Sequence, residues 1–150
     1  MRVAIVGSGP SGFYAASRIL HSFDAQCGTG ENGVDIHMYE RLPTPFGLVR
    51  YGVAPDHPEV RNVENKFDEV ARDPRFTFLG NVQVTGGADV LPSAAVPVPL
   101  SCMAPYYTHI LFAYGASDAR HLHLPGTGPD GLEHIHTAFD FVQWYNGHPD

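Results

Sequence analysis

The sequence predicts an α/β fold in which a parallel sheet carries helices on its faces. Three observations predict it: an apolar run at residues 2–6 that ends in glycine, a helical spacing of apolar residues directly after it, and a second apolar run at residues 34–39. A strand, a helix and a strand in this order form one right-handed βαβ unit. With 43% hydrophobic and 17% charged residues, the 150-residue chain is typical of one globular domain with a buried core.

The first helix is predicted over residues 11–21, and the polar, glycine-rich residues 22–33 are predicted as a loop. Four prolines and two glycines between Leu42 and Pro58 exclude a helix or a central strand there. A further helix is predicted from Asp56 to about Arg72, with Glu59 completing a capping box.

The remaining elements are short. Residues 86–105 are interrupted by prolines and are predicted as an irregular loop or insertion. The pattern predicts strands near residues 76–79, 82–84 and 109–113, and a last helix over residues 137–145.

A glycine-rich turn joins the first strand to the first helix and has the complete spacing G-x-G-x-x-G, from Gly7 to Gly12. In this context Gly7 permits a tight turn, Gly9 lets a pyrophosphate approach the backbone, and Gly12 lets the helix pack close to the strand. Phosphates would meet free backbone N–H groups at the positive end of the helix dipole. The turn therefore predicts a Rossmann-like dinucleotide site, the alternative being a glycine turn without a ligand.

Glu40 stands at the end of the second strand, where a carboxylate can accept hydrogen bonds from ribose hydroxyls. The same carboxylate disfavours a 2′-phosphate, so FAD or NAD is expected in this site rather than NADP. Glu40 lies 28 residues after Gly12, more than the usual interval of about 20, and the loop at residues 22–33 is expected to absorb the excess. The alternative is an exposed glutamate at a strand end.

Other residues are weaker candidates. Gly115 follows the strand at residues 109–113 and could approach the cofactor, or simply end a core strand. His57 suits proton transfer near neutral pH, although its pattern alone favours a capping or packing role. The pairs His121-x-His123 and His134-x-His136 have no third ligand beside them, so no metal site is predicted.

Charge and hydropathy exclude two classes of protein. A formal net charge of −7 argues against nucleic-acid binding, because phosphate neutralisation needs Lys and Arg. No apolar run approaches the roughly 18–20 residues that span a bilayer, so no transmembrane segment is expected. No transit peptide is visible before Arg2.

The run from Pro43 to Pro58, PTPFGLVRYGVAPDHP, resembles the adrenodoxin reductase family, which comprises glutathione-reductase-like ferredoxin–NADP⁺ reductases. Segments around residues 73–82, 114–116, 124–126 and 141–146 resemble the same family in the same order. The resemblance covers most of the chain apart from residues 22–33 and 86–105.

The resemblance implies an oxidoreductase that passes electrons from NADPH through FAD to a ferredoxin- or adrenodoxin-type iron–sulfur protein. It also implies a mitochondrial location on the matrix side, the other expectation being the cytoplasm. The FAD contacts implied by the motif and the resemblance together fall on Gly7, Gly9, Pro10, Ser11, Gly12, Glu40, Gly47, Leu48, Val84 and Gly115. The resemblance further implies that His57 lies near the flavin.

The family is about three times as long, so residues 1–150 are expected to form the N-terminal part of an FAD-binding domain that is incomplete at its C-terminal side. The NADPH-binding domain is then absent from these residues, and NADP is a cofactor only of a complete protein. Two further interpretations remain beside a reductase or its N-terminal fragment. One is a non-catalytic, truncated FAD-binding module. The other, an NAD-dependent dehydrogenase, is disfavoured by Pro10 and by the resemblance.

Overall fold

A computed structural model describes residues 1–27, 33–86, 95–116, 124–127 and 131–149. Within these residues the main sheet has four parallel strands in the order β3-β2-β1-β6. Its strands are β1 (Arg2–Val6), β2 (Asp35–Tyr39), β3 (Phe76–Leu79) and β6 (His109–Phe112). A separate two-stranded parallel sheet pairs β4 (Val82–Thr85) with β5 (Val96–Pro99). The predicted parallel α/β architecture is therefore confirmed.

Six helices accompany these strands in the described residues, together with a 3-10 turn at Ala104–Tyr106. The helices are α1 (Pro10–Cys27), α2 (Leu48–Tyr51), α3 (Pro58–Arg61), α4 (Val63–Ala71), α5 (Leu100–Met103) and α6 (Ala138–Tyr145). The predicted helix at residues 137–145 is thus confirmed, with Thr137 as the N-cap of a capping box closed by Asp140.

Four aromatic rings, from α1, α4, β3 and the loop before α2, form the centre of the core. Phe13 of α1 stacks on Phe67 of α4 with ring centroids 4.9 Å apart, and Phe46 and Phe76 pack within 5.2 and 5.8 Å of Phe13. All four rings are buried. Packing of this kind contributes beyond simple area burial, and it fixes α1 and α4 against the sheet.

Helix α1 runs six residues further than predicted, to Cys27, so the predicted loop at residues 22–27 is wrong. Phe23 continues the apolar stripe of Phe13, Ala16 and Leu20 and packs against the core. At this end of α1 Asp24 receives hydrogen bonds from Arg75, which also binds Asp73. These bonds hold the pKa of both carboxyls below their usual range. The core contact and the ion pairs outweigh the polar composition of the segment; residues 28–32 lie outside the described part of the chain.

The predicted single helix over residues 56–72 is two helices, α3 and α4, and the predicted capping box is absent. Pro58 occupies the first turn of α3, which makes His57 the N-cap, and no side chain caps the helix. The exclusion of helix from residues 42–58 is also wrong, because α2 fits between flanking prolines at Pro45 and Pro55. The position of prolines, rather than their number, decides where a helical turn can form.

Residues 96–106 are regular, which corrects the prediction of an irregular loop for this part of the segment 86–105. The prolines of β5, Pro97 and Pro99, alternate with Val96 and Val98, and Val96 N donates to Asn81 O at 2.8 Å. The positions that face β4 therefore keep their N–H groups, while the prolines face away from it, as proline in an edge strand must. Residues 87–94 lie outside the described part of the chain.

Tyr107, which directly follows residues 96–106, connects this segment to the main sheet through hydrogen bonds to β2. Its hydroxyl lies 2.7 Å from His37 Nδ1 and 2.5 Å from Tyr39 Oη, both on the face of β2 opposite the aromatic core. Burial, together with the hydrogen bond to Tyr39, raises the pKa of the Tyr107 phenol, which therefore remains a neutral donor and acceptor. The contact brings α5, with Leu100, to the same edge of the sheet as the glycine turn.

Candidate functional site

A cleft of about 750 Å³ opens at the carboxyl ends of β1, β2 and β6, and Val6, Tyr39 and Phe112 line it there. This is the edge at which open parallel sheets bind ligands. The volume lies within the range of about 300–1,000 Å³ that is usual for small-molecule sites.

The glycine turn forms the floor of the cleft, and its three glycines occupy different environments. Gly7 has a φ of +106°, and a Cβ there would collide with the backbone of Ala113. A Cβ on Gly12 would collide with Gly7 O, so this glycine sets the distance between α1 and the turn. A Cβ on Gly9 would meet no protein atom within 4 Å, and Gly9 lines the cleft. Gly9 is therefore the position at which a ligand can approach the backbone.

The start of α1 offers hydrogen-bond donors to the cleft. The first helical hydrogen bond runs from Phe13 N to Gly9 O at 3.1 Å, so the amides of Ser11 and Gly12 precede the helical ladder, and of these two residues Ser11 lines the cleft. Pro10 has no N–H and opens the helix, which suits the first helical position. Donors at a helix N-terminus favour an anion, which here would be a phosphate.

Glu40 also lines the cleft and is bound to the glycine turn. Its Oε2 accepts hydrogen bonds from Ser8 N at 2.9 Å and Ser8 Oγ at 2.6 Å, and its Oε1 accepts one from Leu42 N at 3.0 Å. Ser8 is fully buried. The carboxylate therefore joins the end of β2 to the turn, and Oε1, which accepts one hydrogen bond, keeps one acceptor site for a further donor.

The structure brings most of the predicted site residues to one cleft. The predicted residues that line it are Gly7, Gly9, Pro10, Ser11, Glu40, Gly47, Leu48, Val84 and Gly115. Gly12 is buried behind the turn. A Cβ on Gly47 would lie 3.2 Å from Gly9 Cα, so the start of α2 packs directly on the glycine turn.

His57 does not line this cleft. It is the N-cap of α3 with 61% of its side chain exposed, and its Nδ1 lies 3.2 Å from Glu59 Oε1. A second carboxylate, Asp56 Oδ1, lies 4.0 Å from His57 Nε2. In the described residues His57 thus faces solvent and acidic neighbours.

Sequence reasoning missed several residues of the cleft. Tyr51 lines it from α2, and Phe139, Gln143 and His148 line it from the last helix and the segment after it. The spacing of Phe139 and Gln143, four residues apart, was the one available signal, since it places both on one helix face. Nothing in their sequence indicated that this face turns toward the cleft.

The glycine spacing by itself does not single out the site, because G-x-G-x-x-G recurs at residues 28–33 and 126–131. Gly33 follows α1 and precedes β2, which is the reverse of a strand–turn–helix order. Among the described residues no group of three metal-ligating side chains occurs, and none of the described helices is long and apolar enough to cross a membrane.

The sheet order, the glycine turn and the cleft at the strand ends define the class: an α/β protein with a partial Rossmann-like domain. Within that class the chain is similar to NADPH-ferredoxin and NADPH:adrenodoxin reductases. It is 45% identical over 148 residues to the NADPH-ferredoxin reductase FprA of Mycobacterium leprae, covering 99% of this chain and 29% of that protein. It is 43% identical over 150 residues to the mitochondrial NADPH:adrenodoxin oxidoreductase of Arabidopsis thaliana, covering 100% of this chain and 27% of that protein.

The solved structures agree with the sequences. FprA of Mycobacterium tuberculosis in complex with NADPH superimposes with a TM-score of 0.78 at 42% identity, over 99% of this chain and 29% of that one. No protein-family model matches the chain. The resemblance to this family is confirmed: the chain is related over its whole length to these reductases and spans 27–29% of the length of the two relatives named above.

Proposed function

We propose that the cleft binds FAD, with the pyrophosphate on the glycine turn and the adenosine ribose at Glu40. The observation that carries this is the open space at Gly9, in a cleft that Ser11 and Glu40 also line. Gly47, Leu48, Val84 and Gly115 line the remaining length of the cleft and are the proposed further contacts. The residues fit a dinucleotide because anion donors and a ribose acceptor face the same space.

FAD is favoured over NADP in this cleft because a carboxylate at Glu40 repels a 2′-phosphate and accepts hydrogen bonds from a free hydroxyl. NADPH would bind elsewhere in a protein of the relatives' length. We propose that residues 1–150 are the N-terminal part of an FAD-binding domain and that the NADPH-binding domain lies outside them. The names of the relatives support this, since both refer to NADPH.

The activity proposed for the complete protein is electron transfer from NADPH through FAD to a ferredoxin- or adrenodoxin-type iron–sulfur protein. Support comes from the names of the relatives, which specify ferredoxin or adrenodoxin as partner. A mitochondrial location is proposed on the same ground, because the relatives from Arabidopsis thaliana and Schizosaccharomyces pombe are named as mitochondrial.

The first test measures FAD binding and NADPH consumption separately. Purified residues 1–150 mixed with FAD and passed through gel filtration are expected to carry the visible flavin absorption with the protein peak. The same sample is expected to consume NADPH no faster than free FAD does, because hydride transfer needs the nicotinamide about 3–3.5 Å from the flavin and thus a second nucleotide site. Protein that elutes without flavin at saturating FAD would contradict the proposed cofactor. Saturable NADPH consumption would contradict the proposed division of domains.

His57 is proposed to act on proton transfer at the flavin rather than on FAD binding. His57→Gln is therefore expected to leave FAD affinity unchanged, because His57 does not line the cleft. In a polypeptide of the relatives' length, the same change is expected to alter the pH dependence of flavin reduction, because glutamine cannot take up or release a proton as histidine does. An identical pH profile in variant and wild type would assign His57 a structural role at the start of α3.

A further inference from the structure

Helix α6 forms part of the cleft wall although none of its residues is buried. Phe139 and Gln143, one turn apart, line the cleft, and His148 lines it just after the helix. The other side of α6 faces solvent, with Phe141 58% and Trp144 76% exposed. The inner face of α6 therefore borders the cleft, where a ligand would supply the packing that the described residues do not.

A polar clamp holds the C-terminal end of α6 in this position. The side-chain amide of Asn146 donates from Nδ2 to Tyr51 O at 3.1 Å and to Val142 O at 3.1 Å. Its Oδ1 accepts a hydrogen bond from Arg61 Nη2 at 2.7 Å. The same Arg61 nitrogen donates to Val53 O, so one guanidinium ties α6 to the segment between α2 and α3.

The residues that hold Asn146 lie close to the glycine turn. Tyr51 is buried in α2, its hydroxyl lies 2.5 Å from Thr44 Oγ1, and its ring packs edge-on against His148 with centroids 4.8 Å apart. Helix α2 begins beside Gly47, which packs on Gly9. The contact of Asn146 with Tyr51 therefore fixes the position of α6 relative to the glycine turn.

We propose that Gln143 is a ligand-contacting residue of the cleft and that Asn146, held by Arg61, is the residue that positions it. The inference rests on the proposed function and adds α6 to the elements that would contact the bound FAD. A glutamine amide can both donate and accept, so it would bind a hydroxyl or carbonyl group of the dinucleotide.

The test compares FAD affinity in four forms of the full chain: wild type, Gln143→Ala, Asn146→Ala and Trp144→Ala. Losing one or two net hydrogen bonds corresponds to an affinity change of about tenfold, so Gln143→Ala and Asn146→Ala are expected to bind FAD about tenfold more weakly. Trp144→Ala is the matched control, since it changes the same helix on its solvent face, and its affinity is expected to equal that of the wild type. Gln143→Ala is expected to unfold at the wild-type temperature without FAD, because a contact made only to the ligand does not stabilise the free chain.

Hydrogen exchange without FAD tests the clamp independently of the cofactor. Amides of residues 138–148 are expected to exchange faster in Asn146→Ala than in wild type, and Arg61→Met is expected to reproduce the effect. Wild-type exchange in both variants would overturn the clamp, and wild-type FAD affinity in Gln143→Ala would overturn the contact while leaving the proposed function intact. A wild-type chain that binds no FAD would overturn the contact and the proposed function together.

Discussion

Replacing Gly9 by valine is expected to abolish FAD retention while leaving the chain folded. The Cβ of residue 9 would enter open space in the cleft, so it would displace the pyrophosphate without touching protein. A loss of about 100-fold or more in affinity, equal to about 2.8 kcal/mol, is expected, with an unchanged unfolding temperature in the absence of FAD. Gel filtration with FAD and thermal unfolding without it measure the two quantities on one preparation.

The neighbouring glycines supply the contrast that makes this result specific. Gly12→Ala would press its new methyl group into the carbonyl oxygen of Gly7 and is expected to lower the unfolding temperature of the free chain. Gly9→Ala, with a smaller side chain and no clash, is expected to weaken FAD less than Gly9→Val does. A folded Gly9→Val protein that keeps normal flavin content would remove the pyrophosphate from this turn.

Replacing Glu40 by alanine is expected to have two separable effects. FAD affinity should fall by about 1.5–3 kcal/mol, the usual contribution of hydrogen bonds to a charged acceptor. The free chain should also lose stability, because Ser8 is fully buried and both its N–H and its hydroxyl donate to Glu40 Oε2. Isothermal titration with FAD and thermal unfolding without it distinguish the two effects.

FMN and Ser8→Ala are the controls for Glu40. FMN lacks the AMP half of FAD, so its affinity is not expected to respond to Glu40→Ala if the carboxylate binds the ribose. Ser8→Ala removes one hydrogen bond to Glu40 but leaves the carboxylate, so it is expected to lower stability more than FAD affinity. Equal losses of FAD and FMN in Glu40→Ala would assign Glu40 to the folding of the turn alone.

The sequence was most informative where structure is local. Residues 2–6 and 76–79 form strands at the predicted positions because a short apolar run between turn signals has few other conformations available. The position of the Gly7 to Gly12 turn between a strand and a helix was also predicted, because it too depends on local sequence. The interval of 28 residues from Gly12 to Glu40 was explained by a loop, whereas six further residues of α1 take up part of it.

The predictions failed where contacts between distant segments decide the structure. Asp24 and Arg75 stand 51 residues apart, and no local pattern indicates that their ion pair supports the end of α1. The same holds for Asn146 and Arg61, whose hydrogen bond bridges 85 residues and brings α6 to the cleft. The part of the cleft formed by the glycine turn and Glu40 could therefore be predicted from motifs, and the wall formed by α6 could not.

The two prolines of β5 have a consequence for the behaviour of the chain at high concentration. An unpaired strand edge can recruit a strand from another molecule, which is the first step toward edge-to-edge aggregation. Among the described residues β5 pairs with β4 alone, and on its other side Pro97 and Pro99 present no N–H group, so an incoming strand finds no donors at two successive sites. The residues that made this segment look irregular in the sequence thus leave its outer edge a poor template for strand addition.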